Sequence, residues 1–137
     1  MNEAALQQGI YTALTGNAAL MALITGVYAD VQQPNLPEND ADFPYVTIGN
    51  DVFTAWDTNT DFGASASCQI DVWSRQNNFM EAKAIGSAIN NALHYQPLTI
   101  TGSHHVQTRV ESATYTPDPD GHTKRGMLLV RVLFDEA

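Results

Sequence analysis

Residues 64–73, Ala-Ser-Ala-Ser-Cys-Gln-Ile-Asp-Val-Trp, alternate with a period of two. Ala64, Ala66, Cys68, Ile70 and Val72 fall on one face, and Ser65, Ser67, Gln69, Asp71 and Trp73 on the other. Only a strand with one face in a core and the other outside it satisfies this pattern. The stretch from Asn77 to His94 switches to helical period, with Ala82, Ile85, Ala88, Ile89, Ala92 and Leu93 on one stripe. Small residues on that stripe let a helix lie close on a sheet. The junction between strand and helix holds no reactive group, so it reads as framework.

The rest of the chain completes the sheet. Glu3 to Leu14 reads as a helix, with Leu6, Ile10 and Leu14 on one face and Gly16 as its stop. Asn17 is placed to cap a second helix, Ala18 to Ile24, ended by Gly26. Val27 to Asp42, with Pro34, Asn35, Pro37 and Asn39, reads as an extended loop. Phe43 to Val52 is a strand, and Pro44 marks its beginning or an edge position. Thr54 to Gly63 is a polar connection holding two aromatics, Trp56 and Phe62. Asn78 and Glu81 have the spacing of a capping box. Pro97 to Thr101 reads as a short strand, and His104 to Thr116 as a long one with Val106, Thr108, Val110 and Ser112 facing one way. A turn at 117–121, Pro-Asp-Pro-Asp-Gly, leads to a strand from Thr123 to Phe134, with Leu128, Val130, Val132 and Phe134 on one face. The order α-α-β-β-α-β-β-β predicts an α+β fold: a mostly antiparallel sheet with helices packed on one face. At 137 residues the chain suits a single domain, 1–137.

Charge restricts the partners. The net charge is −9, from 15 acidic against 6 basic residues, and the basic residues are scattered. Binding nucleic acid by neutralising phosphates needs clustered Lys and Arg, so that class is disfavoured. Acidity either keeps the chain soluble or lets nucleic acid pass without sticking. Cys68 is the only cysteine, which excludes an intrachain disulfide, and its place on the apolar face predicts a buried thiol. The opening Met-Asn-Glu lacks a basic region, so no secretory leader is expected. The apolar stretch from Ala18 to Ile24 is too short to cross a bilayer. These features predict a cytoplasmic protein with no membrane association.

Catalytic and metal signals are weak. His104 and His105 are neighbours on a strand and point to opposite faces, so they cannot share one metal unaided. Asp118 and Asp120-Gly121 resemble the start of a calcium loop, but Met127 stands where that loop needs Glu. Asp57 and Asp61 lie in a polar connection without an apolar pocket around them. No nucleophile elbow or phosphate loop occurs. The chain is therefore expected to have no enzymatic activity, no cofactor and no metal. Trp56, Phe62 and Trp73 stand apart: aromatics in a loop or on a polar strand face either anchor an interface or pack over their own sheet. Lys124 and Arg125 form the one adjacent basic pair, suited to acidic patches on a partner.

An ordered series of segments carries a family resemblance. It runs through residues 4–14 (Ala-Ala-Leu-Gln-Gln-Gly-Ile-Tyr-Thr-Ala-Leu), 43–49 (Phe-Pro-Tyr-Val-Thr-Ile-Gly) and 57–60 (Asp-Thr-Asn-Thr). It continues through 70–75 (Ile-Asp-Val-Trp-Ser-Arg), 81–85, 92–94, Pro97-Leu98, 111–113 and 118–126. In this series the chain resembles the tail-terminator, or tail-completion, proteins of long-tailed bacteriophages and prophages. The stretch from Gln33 to Ala41 departs from the pattern, being longer and more acidic.

The resemblance implies a subunit of a hexameric ring that caps a finished tail tube, ends its polymerisation and joins it to the head-side connector. The implied partners are further copies of the chain, the tail-tube protein and the connector or stopper, with DNA passing through the lumen unbound. It places the protein at the virion head–tail junction, after assembly in the host bacterial cytoplasm. It brings no catalytic residues. Two alternatives stay open: a head-side stopper or tail-tube protein, and a small-ligand-binding α+β domain. The residues expected at an interface are Trp56, Phe62, Trp73, Lys124 and Arg125.

Overall fold

The computed structural model describes residues 3–28, 44–55, 63–76, 78–117, 119 and 123–136. Helices α1 (Glu3–Thr15) and α2 (Ala18–Met21) come first, followed by strands β1 (Val27–Tyr28), β2 (Tyr45–Ala55) and β3 (Gly63–Ser74). Helix α3 (Met80–Leu93) then leads to β4 (Ser103–Pro117) and β5 (Lys124–Glu136). Among the described residues these strands form one sheet in the order β1-β2-β3-β5-β4. Every pairing is antiparallel except β1 with β2.

β3 has the face assignment its alternation predicts. Ala64, Ala66, Cys68, Ile70 and Val72 enter a core shared with Leu128, Val130, Val132 and Phe134 of β5. Leu6, Ile10 and Leu14 of α1 and Ile85, Ile89 and Leu93 of α3 close that core from the helical side. The α+β class and the helical layer on the apolar face are thus as expected. Asn17 caps α2 through its side-chain oxygen, which accepts from the Leu20 N–H at 2.9 Å.

Several local expectations need correction. The stretch read as a loop from Val27 begins with β1, which pairs Val27 with Val46 and Tyr28 with Thr47. Residues 97–101 are not a strand. Leu98 and Ile100 are buried in alternation, but they pack toward α1 and no ladder forms. The capping box does not close. Asn78 Oδ1 accepts from the Met80 N–H at 2.9 Å, while the Glu81 carboxylate turns back to accept from the Ser74 hydroxyl at 2.7 Å. α3 is thereby tied to the end of β3.

The largest correction concerns β4. Its register with β5 slips between His105 and Gln107 and again between Val110 and Ser112. Each slip inserts a residue and turns the following side chains to the other face. Thr108 and Val110 therefore lie over the core side, while Val106 and Ser112 are exposed. After the second slip Tyr115 comes opposite Gly126 and covers it, with its hydroxyl reaching Gly86 of α3. A Cβ on either glycine would press on the Tyr115 side chain.

α1 approaches residues 97–101 as closely. A Cβ on Gly9 would stand 2.6 Å from the Thr99 carbonyl oxygen, a backbone atom that cannot swing aside. Gly9→Ala should therefore lose about 1–3 kcal/mol of stability to overpacking, despite the roughly 1 kcal/mol that alanine favours a helix over glycine. Urea unfolding checks this, and an unchanged or raised midpoint would contradict the close approach.

Candidate functional site

The sheet face opposite the helices is where a partner can meet the strands. Across β2, β3, β5 and β4 its rows run Tyr45–Trp73–Arg125–Thr116, then Thr47–Asp71–Met127–Thr114, then Gly49–Gln69–Leu129–Ser112. The next row, Val52–Ser67–Arg131–Arg109, leaves Val52 62% exposed.

The first rows build a compact aromatic and charged cluster. Tyr28 meets Tyr45 edge-on with centroids 5.9 Å apart, and Tyr45 stacks on Trp73 at 6.3 Å. The Trp73 indole N–H donates to Thr47 Oγ1 at 3.1 Å. The Arg125 guanidinium lies 4.9 Å from the Trp73 ring centroid and donates to Asp71 Oδ2 at 3.1 Å. Asp71 also accepts from Gln69 Nε2 at 2.9 Å. Tyr45 is fully buried and Trp73 is 8% exposed, although both lie on the face away from the helices. The cluster is a small second core.

The expected interface residues divide on this geometry. Trp56 and Phe62 lie outside the described residues. Trp73 packs within its own chain, and Arg125 spends its charge on Asp71 and the Trp73 ring. Lys124 points elsewhere, with its Nζ 5.9 Å from the Phe79 ring centroid. So Trp73 and Arg125 come together and Lys124 does not join them. Tyr28, Tyr45, Thr47 and Asp71 complete the cluster and were not singled out from sequence. Tyr45 lies opposite Trp73 in the antiparallel pairing of β2 with β3, and that pairing was the available signal.

Among the described residues, the groups considered for chemistry do not gather into one site. His104 and His105 pair with Asp135 and Phe134, and so lie on opposite faces. His105 Nε2 is 2.6 Å from Thr108 Oγ1, and burial lowers its pKa. Asp118 and 120–122 lie outside the described residues. Cys68 is buried, and its pKa is pushed up to about 12 by burial and then by the neighbouring Asp51 carboxylate. Burial also raises the pKa of Asp51; the Cys68 thiol partly offsets this and Glu3 adds to it. Among the described residues no group of three His, Cys, Asp or Glu side chains could hold a metal ion. No described helix is long and apolar enough to cross a membrane. Among the described residues, open depressions of about 260 Å³ and about 300 Å³ lie on the flank of α1 and beside Tyr95 and His105. Neither gathers polar groups around an apolar floor as a ligand site does.

The described strands form one sheet covered by helices on one face, an α+β architecture. The family model of tail completion protein gp17 matches residues 8–135, and the chain belongs to that family. The tail completion protein gp17 of Bacillus phage SPP1 is 32% identical over 127 residues, covering 93% of this chain and 90% of the relative. The solved structure of bacteriophage SPP1 gp17 superposes with a TM-score of 0.62 at 31% identity, covering 93% of this chain and 87% of that one. A chain in the virion of a native gene transfer agent particle superposes with a TM-score of 0.85 at 25% identity, covering 97% and 96%. The chain is thus a structural tail-completion protein of phage type, and its family is not one of enzymes.

Two outcomes follow from the buried titratable groups. In native protein Cys68 should resist thiol reagents that label it at once after unfolding, and Cys68→Ser should cost about 1–3 kcal/mol. Rapid native labelling would contradict the burial. For His105 the folded pKa lies below the unfolded value of 6.5. The unfolded chain therefore takes up more protons between those two values, and His105 loses stability as pH falls below 6.5. His105→Gln should flatten the fall in melting temperature over that window, and an unchanged slope would contradict it.

Proposed function

We propose that this chain caps the finished tail tube as a ring, ends its polymerisation and joins the tail to the head-side connector. The observation that carries this reading is the match to tail completion proteins along almost the whole chain, residues 8–135. The superposition on a chain of an assembled virion particle supports a place within a particle. The ring is a homo-oligomer, a hexamer in this reading. Its other partners are the tail-tube protein on one side and the connector or stopper on the other. It acts at the virion head–tail junction after assembly in the host cytoplasm. DNA passes through the lumen without specific contacts, in keeping with a chain of net charge −9.

Trp56 and Phe62, in the connection between β2 and β3, are proposed to reach a neighbouring subunit or the tube. Lys124, opposite Ser74 at the other end of the sheet and with its Nζ 5.9 Å from the Phe79 ring centroid, is proposed to offer its charge to a partner there. Trp73 and Arg125 support the Lys124 end, by holding the sheet's first rows together.

The double change Trp56→Ala with Phe62→Ala should leave melting nearly unchanged and yield tails of uncontrolled length in infected cells. Collapse of melting would make those side chains core residues. Normal tail length with normal melting would put the interface elsewhere.

A further inference from the structure

Among the described residues the sheet has two partly open edges, at opposite sides. On β4 the outer edge is partly closed by the end of α3. The Tyr95 N–H donates to the Thr108 carbonyl at 2.8 Å, and the Val110 N–H donates to His94 Nδ1 at 3.0 Å. Beyond the bulge at Glu111 nothing among the described residues covers that edge. Strand alternation across a bulge then turns the backbone groups of Ala113 and Tyr115 outward. On the other side, β1 pairs only with Val46 and Thr47. The outer edge of β2 from Gly49 to Ala55 is unpaired among the described residues. Neither open stretch carries a Lys, the usual guard of a strand edge.

The two edges are complementary. β2 runs antiparallel to β3, β3 to β5 and β5 to β4, so β2 and β4 run in opposite senses. Head-to-tail packing of copies therefore sets the β4 edge antiparallel to the β2 edge of the next copy. Charge selects the same match. Lys83 lies over Tyr115 beside the open part of β4, and Glu3 and Asp51 sit within each other's field beside the open part of β2.

We propose that the occupant of each open edge is a second copy of this chain: residues 113–117 of β4 pair with residues 49–55 of β2 in the neighbouring subunit. This joins the subunits' sheets into one continuous sheet. It rests on the ring reading and deepens it by naming the surfaces that close the ring.

The stagger favours closure. Within one subunit Thr114 lies level with Thr47, through Met127 and Asp71. Placing Thr114 beside Val52 of the next copy, both on the face away from the helices, shifts the chains by about four residues once the β2 bulge is discounted, roughly 14 Å at the rise of a strand. Over four strands, about 19 Å wide, that is a strand tilt of about 35°, at the lower end of the range of closed barrels.

Ala113→Pro tests the pairing directly, because it removes an outward N–H and leaves the ladder to β5 intact. It should melt like wild type while its ring population, read by native mass spectrometry alone and beside tail tubes, falls roughly tenfold or more. Lys83→Glu should weaken the ring, and adding Glu3→Lys should restore it. Mixing Val52→Cys protein with Thr114→Cys protein should give disulfide-linked heterodimers, while Val106→Cys in place of Thr114→Cys should not. Buried Cys68 stays silent in this assay. Rings formed equally well by Ala113→Pro, without the cysteine cross-link, would overturn the edge pairing and leave the ring reading standing. Intact rings that no longer bind tubes would make the tube protein the occupant of the β4 edge. Wild-type protein that forms no ring in either setting would overturn both.

Discussion

The central strand β3 is hydrogen-bonded along both sides, and the rest of the molecule is placed by that fact. Its pairing with β5 runs unbroken from Gly63↔Asp135 to Ser74↔Lys124, while β2 flanks it on the other side. With both edges taken, β3 can present only its two faces. Its even positions, from Ala64 to Val72, are apolar and draw α1 and α3 onto one side. The interruptions of the sheet, in β2 and β4, lie in the strands on either side of this rigid pair. An assembly protein needs this division: a fixed centre that sets the frame, and margins left available for neighbours.

The face away from the helices is stabilised at one end and open at the other. The stack of Tyr28, Tyr45 and Trp73, closed by Arg125 and Asp71, buries aromatic surface that would otherwise meet water. Removing one partner of the Arg125–Asp71 pair would leave a partly buried charge without its counter-ion, which costs more than the pair itself contributes. Farther along, exposed Val52 and Leu129 lie among serines and arginines. The asymmetry leaves the far rows and the strand margins as the surface available for contact.

Strict alternation made β3 and β5 legible from sequence, because both are regular along their length. β4 was misphased because nothing in His105-Val106-Gln107 or Val110-Glu111-Ser112 signals an inserted residue. β1 was hidden because a strand of two residues has no periodicity. Residues 97–101 imitated a strand because Leu98 and Ile100 alternate into the core without forming a ladder. At the candidate site, Trp73 was visible as an aromatic on a polar face, but its burial was not. That burial depends on Tyr45 and Arg125, distant in sequence and brought near by strand pairing. The open edges were equally hidden, since an edge is a property of sheet order and not of any segment.

Amide hydrogen exchange, compared between the free chain and the chain assembled at tube ends, tests the central claim most directly. The account predicts that the outward amides of Ala113 and Tyr115 and those on the open edge of 49–55 exchange readily in the free chain and become protected together on assembly, while Thr108 to Val110 and β3 change little. Equal exchange of both segments in the two states, or protection confined to the helical layer, would contradict it.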